Sequence, residues 1–295
     1  MAGGIWVKNV VRGKILPFFR KHWQGALALR DRLRFTEETF HLALAGVVGV
    51  IGGLTNVAFY YAIEGVMRLA LHDRGEMTEI ARAFAPWQRV MIPALGGLAA
   101  GLVLYWGLRL VSNQGASNIV EVVTAGDGRL AMRSAMFKAL SSLLSIGTGA
   151  SIGREGSITQ TSAVLASKLG QIAGWQPYRL RLLVACGAAA GLSAAYNAPI
   201  AGAVFACQIV LGNFSMTYFA PVIFSSVVAT MVSRTFFGIR TFYTVPDFDF
   251  TRLGQLPWFL ALGLISGVVA SLFLILLQRA EEYFARLKTP VYMRM

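Results

Sequence analysis

Charged side chains are scarce in this chain: Asp, Glu, Lys and Arg make up only 14% of its 295 residues, whereas 56% are hydrophobic. Soluble domains carry about 25% charged residues. The mean hydropathy of +0.59 is correspondingly high. This composition excludes an ordinary soluble enzyme and predicts an integral membrane protein with the lipid bilayer as its partner.

Cysteine and histidine are also scarce, with two and three residues. Cys186 and Cys207 lie inside apolar runs without metal-ligand spacing, so we interpret both as small packing residues. The histidines form no ligand pattern, and no nucleophile stands near a candidate base. We therefore expect no metal site, no cofactor and no enzymatic activity.

Acidic residues are outnumbered by basic ones, 14 to 27, which gives a net charge of +13. The basic residues fall mainly outside the apolar runs, which indicates the positive-inside bias of membrane proteins rather than nucleic-acid binding. Residues 1–38 form a basic segment without the continuous apolar core of a signal peptide. This segment and a basic tail at 288–295 predict that both termini lie in the cytoplasm.

Long apolar runs occupy most of the remaining chain, at roughly 40–71, 90–112, 135–150, 156–173, 181–211, 215–237 and 256–278. Several exceed the ~20 residues that cross a bilayer as a helix. Others are shorter and rich in Gly and Ser, which predicts broken helices that must be buried in protein. We predict an all-α polytopic membrane protein with tilted and broken helices, in which residues 39–287 form one membrane domain.

One motif, Gly153-Arg154-Glu155-Gly156-Ser157, places two charges at the mouth of an apolar run. Charges at membrane depth usually mark an ion or substrate path. Glu155 is predicted at a helix start, where unpaired N–H groups and the helix dipole favour an anion. Its carboxylate can take the place of a permeant anion, and protonation would remove that competitor. The alternative is a capping carboxylate paired with Arg154.

A second polar stretch, residues 112–118, separates two apolar runs. Ser117 and Asn118 are good N-cap residues for a short helix from Ile119 to Thr124. We predict that this helix start and the one at Glu155 converge on a single dehydrated anion, held by backbone N–H groups and a hydroxyl. Such a site binds firmly enough for entry and weakly enough for release.

Two further features have polar residues in apolar surroundings. Lys138 is the only charge inside its run; it either snorkels to the interface or raises the positive potential near the Gly-rich turn. Asn197 and Pro199 predict a helix break followed by a new helix with proline near its first position.

These motifs resemble the CLC family of chloride channels and proton-coupled chloride exchangers. Residues 153–157 are similar to that family's G-R-E-G-P, residues 115–121 to its G-G-S-G-I-P-E, and residues 197–202 to its N-A-P-L-A-G. Lys138 matches a family lysine ahead of the first of these. The resemblance runs from about residue 39 to 287.

The resemblance implies that Ser117 is the central anion-coordinating serine and Glu155 the gating glutamate. It also implies a homodimer with one pore in each subunit, chloride or a similar anion as the ligand, and a bacterial inner membrane. Gln208 and Ile209 stand where the family often has paired acidic residues, which speaks against tight coupling to protons. The remaining residues assigned to the anion site and its support are Gly115, Ala116, Asn118, Ile119, Gly153, Arg154, Gly156, Lys138, Asn197 and Pro199.

Family members carry two inverted halves, and this chain resembles the first half plus one further helix. A complete pore is therefore expected to need a second chain or a longer product. The alternative function is a non-conducting half that acts as a scaffold or partner subunit.

Overall fold

The computed structural model describes residues 37–71, 82, 84–111, 118–238 and 253–286, and most of the described residues are in α-helices. A 3₁₀ turn precedes the last helix, and a six-residue π-helical turn, Ala206–Leu211, follows the helix that ends at Phe205. The helices are α1 (Glu37–Leu71), α2 (Pro86–Leu110), α3 (Ile119–Thr124), α4 (Met132–Gly147), α5 (Glu155–Ile172), α6 (Pro177–Tyr196), α7 (Pro199–Phe205), α8 (Met216–Phe237) and α9 (Leu256–Arg286).

Four of these helices, α1, α2, α8 and α9, are long and apolar enough to cross a membrane. The prediction of a polytopic, all-helical protein is therefore confirmed. The 35 residues of α1 correspond to about 52 Å at 1.5 Å per residue. Since the hydrocarbon core is about 30 Å thick, α1 has to be tilted or to extend beyond it.

The centre of the bundle is α6, whose residues from Leu180 to Ala195 are almost all buried. It packs against α1, α5, α7 and α8. Small residues make these contacts close: a Cβ on Gly187 would come within 2.7 Å of the carbonyl oxygen of Ser162, and one on Gly52 within 2.5 Å of Cβ of Ala190. Lipid supplies no hydrophobic drive between helices, so such close approach is what holds them together.

Packing also accounts for the cysteines and for the glycines of α1. Cys186 and Cys207 are both free thiols in the buried core, as predicted. Gly49 lies against α8, where an added Cβ would meet the carbonyl oxygen of Ser225 at 2.6 Å. The glycine-rich face of α1 is therefore a helix contact surface.

The predicted helix break is present between α6 and α7. Asn197 ends α6 in the left-handed conformation, with φ 57° and ψ 31°, and Pro199 occupies the first position of α7. Asn tolerates this backbone conformation better than most residues. Its side-chain oxygen accepts a hydrogen bond of 2.6 Å from Nε of Arg234 near the end of α8, which ties the break to a second helix.

The two predicted terminal segments, residues 1–38 and 288–295, lie almost entirely beyond the described residues. Residues 1–36 and 287–295 lie outside the described residues, so the basic N-terminal segment and the tail from residue 288 stay predictions.

Candidate anion site

The start of α5 is where the charged motif lies. Arg154 occupies the N-cap position and Glu155 is the first helical residue, as predicted. The first backbone hydrogen bond of the helix runs from N–H of Ile158 to the carbonyl of Arg154 at 3.1 Å. The N–H groups of the three preceding residues therefore have no carbonyl partner within the helix, which is the arrangement that favours an anion at a helix start.

The carboxylate of Glu155 lies over the backbone of Gly153, just before the helix begins. A Cβ built on Gly153 would collide with Oε2 of Glu155, so the absence of a side chain at position 153 is what makes room for the carboxylate. Glu155 is only partly exposed. The carboxylate therefore lies next to the residue that comes two positions before the first helical residue of α5.

Arg154 turns away from the helix start and towards α1. Its guanidinium lies over the ring of Tyr60, 5.6 Å from the centroid. Arginine favours the face of an aromatic ring because the ring's quadrupole attracts a cation. This position agrees with a structural or electrostatic role for Arg154 in addition to its backbone at the site.

Ser157 anchors the first turn of α5 to α4. Its hydroxyl donates a hydrogen bond of 2.7 Å to the hydroxyl of Ser142, and its carbonyl accepts one of 2.7 Å from Thr161. The residue at position 157 therefore bonds the first turn of α5 to the neighbouring helix α4.

The short helix α3 has the predicted bounds. The side chain of Asn118 caps it by accepting a hydrogen bond of 3.0 Å from N–H of Val120. Gly115, Ala116 and Ser117 lie outside the described residues. The convergence of Ser117 with Glu155 on one anion therefore stays a prediction.

The other end of α3 is held by residues that sequence reasoning missed. Arg181 of α6 donates from Nε and Nη2 to the carbonyl oxygen of Gly126, at 3.0 and 2.6 Å. Ser167 of α5 donates to the carbonyl of Gly128 at 2.6 Å and accepts from N–H of Leu130 at 3.0 Å. These partners are 37 to 55 residues apart in sequence, so no local pattern reveals them.

Arg181→Met is expected to loosen α3 and to lower the free energy of unfolding by about 1 to 2 kcal/mol, because Gly126 loses a charged hydrogen-bond donor. Thermal unfolding in detergent measures the effect. The control is Arg179→Met on the exposed face of the same helix, where the guanidinium donates a hydrogen bond to the neighbouring Tyr178. Equal melting temperatures for the two variants would show that the bond to Gly126 does not fix α3.

The three supporting residues predicted from sequence occupy different places. Lys138 is exposed on α4, whereas Asn197 and Pro199 lie at the break between α6 and α7. Asn197 and Arg154 line the same cavity. The structure thus brings the helix break and the charged motif together.

The fold and this site define an all-helical membrane protein whose broken helices begin and end inside the bundle. Residues 96–295 match the family model described as voltage gated chloride channel. The chain belongs to that family.

Two curated relatives and one solved structure illustrate the similarity. The chain is 41% identical over 259 residues to a ClcB-like protein of Ralstonia nicotianae, covering 86% of this chain and 60% of the relative. It is 33% identical over 251 residues to ClcB of Citrobacter koseri, a voltage-gated ClC-type chloride channel, covering 84% and 60%. The crystal structure of a slow cyanobacterial Cl⁻/H⁺ antiporter matches with a TM-score of 0.66 at 23% identity, covering 88% of this chain and 61% of that one. The chain spans about 60% of the length of these curated relatives.

Proposed function

We propose that this chain transports an anion across a bacterial inner membrane, with chloride as the anion and Glu155 as the gate. The observation that carries the proposal is the carboxylate of Glu155, which lies over Gly153 just before the start of α5, where the first N–H groups have no carbonyl partner within the helix. Backbone donors hold a dehydrated halide without the full charge that would trap it. The names of the relatives, chloride channels of the ClC type, agree with this substrate.

In this proposal α3 contributes the second helix start, with Ser117 as the central ligand. The backbone N–H groups of residues 115–119, 153, 154 and 156 surround the anion. Lys138, Asn197 and Pro199 support the site from the neighbouring helices. Gln208 and Ile209 are not titratable, so anion passage is proposed to be at most weakly linked to protons.

The proposed assembly is a homodimer with both termini in the cytoplasm. A second chain, or a longer form of this one, supplies the other half of the filter. The second candidate function, a non-conducting scaffold or partner subunit, is favoured by α9: none of the residues in its apolar window is buried against other described residues.

Chloride efflux from proteoliposomes that contain the purified 295-residue chain tests the proposal, with a pH electrode in the same vessel. We expect efflux above that of protein-free vesicles, with little accompanying proton movement. A folded, membrane-inserted preparation that releases no chloride would favour the scaffold instead. Proton movement in fixed ratio to chloride would overturn the weak coupling.

A further inference from the structure

The last turn of α6 is held by side chains from two other helices. In a continuing helix the N–H of Ala198 would donate to the carbonyl of Ala194, but here it donates to the carbonyl of Ser193 at 3.2 Å. The helix ends at Tyr196, two residues after Ala194. The carbonyl of Ala194 is therefore one of the helix-end carbonyls that need a partner from outside the helix.

Asn56 of α1 and Ser233 of α8 supply that partner. Nδ2 of Asn56 donates to the carbonyl of Ala194 at 3.1 Å and to the hydroxyl of Ser233 at 2.9 Å. The hydroxyl of Ser233 donates to the same carbonyl at 3.3 Å. Both side chains are buried, and both lie in helices that are long and apolar enough to cross a membrane. Within a bilayer no water replaces a lost hydrogen-bond partner.

The residue after Ser233 bonds to the helix break itself. Arg234 donates from Nε to Oδ1 of Asn197 at 2.6 Å, and Asn197 is the residue that ends α6 in the left-handed conformation. A cation near the last carbonyls of a helix also interacts favourably with the helix dipole. Two successive residues of α8 therefore bond to two positions at the end of α6, Ala194 and Asn197.

Packing alone does not explain the amide of Asn56. The residue is only 4% exposed, and its Oδ1 finds no hydrogen-bond donor among the residues that the structure describes. A buried acceptor without a donor costs free energy, so a leucine of similar size would pack between α1 and α6 without that cost. What the amide adds is the pair of hydrogen bonds to Ala194 and Ser233.

The end of α6 is in turn the surface on which the first turn of α5 packs. Ile158, the fourth residue of α5, belongs to a buried cluster with Ala195 of α6 and Phe59 of α1. A Cβ on Gly191 would come within 3.0 Å of the carbonyl oxygen of Ile158. Close-packed groups have little room to give and transmit a displacement. A shift in the last turn of α6 therefore reaches the turn of α5 that begins with Glu155.

We propose that Asn56, Ser233 and Arg234 are positioning residues for the gate. They hold the end of α6 by hydrogen bonds from α1 and α8, and the end of α6 determines where the first turn of α5 lies. They act through these two helices and not by contact with the anion. The role of Glu155 as the gate rests on the proposed function, whereas the positioning of the helix break does not.

The distance between the helix break and the approach to α5 tests the positioning without any transport. Spin labels are attached at Ile152→Cys, ahead of α5, and at Ile200→Cys, the second residue of α7; both native side chains are exposed. Cys186 and Cys207 are buried and should stay unlabelled. Pulsed electron paramagnetic resonance is recorded on the full chain in nanodiscs, diluted with unlabelled chain to remove distances between copies. We expect one narrow distance distribution for the labelled protein and a shifted or broader one after Asn56→Leu.

Ser233→Ala is a milder variant, and Ser225→Ala is its matched control. Ser225 is also buried on α8 and also donates to a carbonyl of α6, that of Cys186 at 3.1 Å, but in the middle of the helix rather than at its end. Both variants should melt below the wild type, and only Ser233→Ala should change the distance distribution. A role in stability alone would lower the melting temperature and leave the distribution as it is.

Arg234 is tested by two substitutions. Arg234→Met removes the donor to Asn197 and should broaden the distribution. Arg234→Lys retains a charged donor and should fall closer to the wild type. Size-exclusion chromatography checks that each variant is folded. If Asn56→Leu does not fold, Ser233→Ala and Arg234→Met decide the question.

Two results would overturn the positioning role. One is an unchanged distribution in every folded variant of the three residues. The other is an equal change in Ser225→Ala, which would show that any lost bond between α6 and α8 loosens the bundle.

The link to the gate is measured separately, as the ratio of chloride to nitrate efflux from proteoliposomes. This ratio should change several-fold in Ser233→Ala and stay at the wild-type value in Ser225→Ala. An unchanged ratio in Ser233→Ala would overturn the link. Wild-type protein that releases no chloride would refute the transport function, whereas the distance measurement would still decide whether the three residues position the helix break.

Discussion

Glu155→Gln is expected to raise chloride flux at neutral pH about tenfold above that of the wild type. In the proposed function the carboxylate, which lies over Gly153, competes with chloride for the N–H groups that open α5. A neutral amide keeps the size of the side chain and removes the charge. Removing a competing charge whose effect is about 1.4 kcal/mol corresponds to this tenfold gain.

The measurement is the initial rate of chloride efflux from proteoliposomes at neutral pH. Glu64→Gln is the matched control, since Glu64 is partly exposed on α1, where it pairs with Arg68. It should retain the efflux rate of the wild type. A Glu155→Gln variant with the wild-type rate would show that another group gates the pathway, and a variant with no flux would show that the carboxylate is needed for permeation.

Gly187→Ala is expected to destabilise the protein, although it adds only one carbon atom. The new Cβ would lie 2.7 Å from the carbonyl oxygen of Ser162 and 2.9 Å from Cα of Ala163, both backbone atoms of α5. Neither can move without moving the helix. Overpacking of this kind costs about 1 to 3 kcal/mol, more than the gain of up to about 1 kcal/mol from placing alanine in a helix.

Gly65→Ala on α1 is the matched control, because a Cβ at that position meets nothing within 4 Å. It should melt at or slightly above the temperature of the wild type, whereas Gly187→Ala should melt several degrees lower. The melting temperature of each variant is measured as the temperature at which half of the protein is no longer monodisperse after heating in detergent. A Gly187→Ala protein as stable as Gly65→Ala would mean that α5 and α6 pack less closely than described.

Local signals in the sequence were sufficient to predict the helix ends that make the candidate site. Asn118 is an N-cap residue ahead of an apolar run, and the structure begins α3 at the next position. The glycine-rich approach to Glu155 and the pair Asn197 and Pro199 likewise correspond to the start of α5 and the break after α6. Each of these helix ends is determined by the residue preferences of helix termini, which involve only a few neighbouring positions.

The contacts that position these ends could not be predicted in the same way. Asn56, Arg181 and Arg234 bond to partners 138, 55 and 37 residues away, and the spacing of a helix does not determine which distant carbonyl its side chains reach. The π-helical turn after α7 also has no signal in composition. A lone arginine in the apolar α8 was the one visible clue, of the same kind as Lys138.

Around Gly187, the contact between α5 and α6 is made of groups that have no rotamers. The positions nearest Gly187 belong to Ala163, Ala166 and the backbone of Ser162. Such residues lose almost no side-chain entropy when they pack, so the two helices are held in one relative position at low entropic cost. When the helix itself is rigid, only the flexible side chains at its N-terminal end can move quickly. Any fast opening and closing at the start of α5 would then be a rotamer change of Glu155, on the nanosecond scale of side chains rather than the slower scale of moving helices.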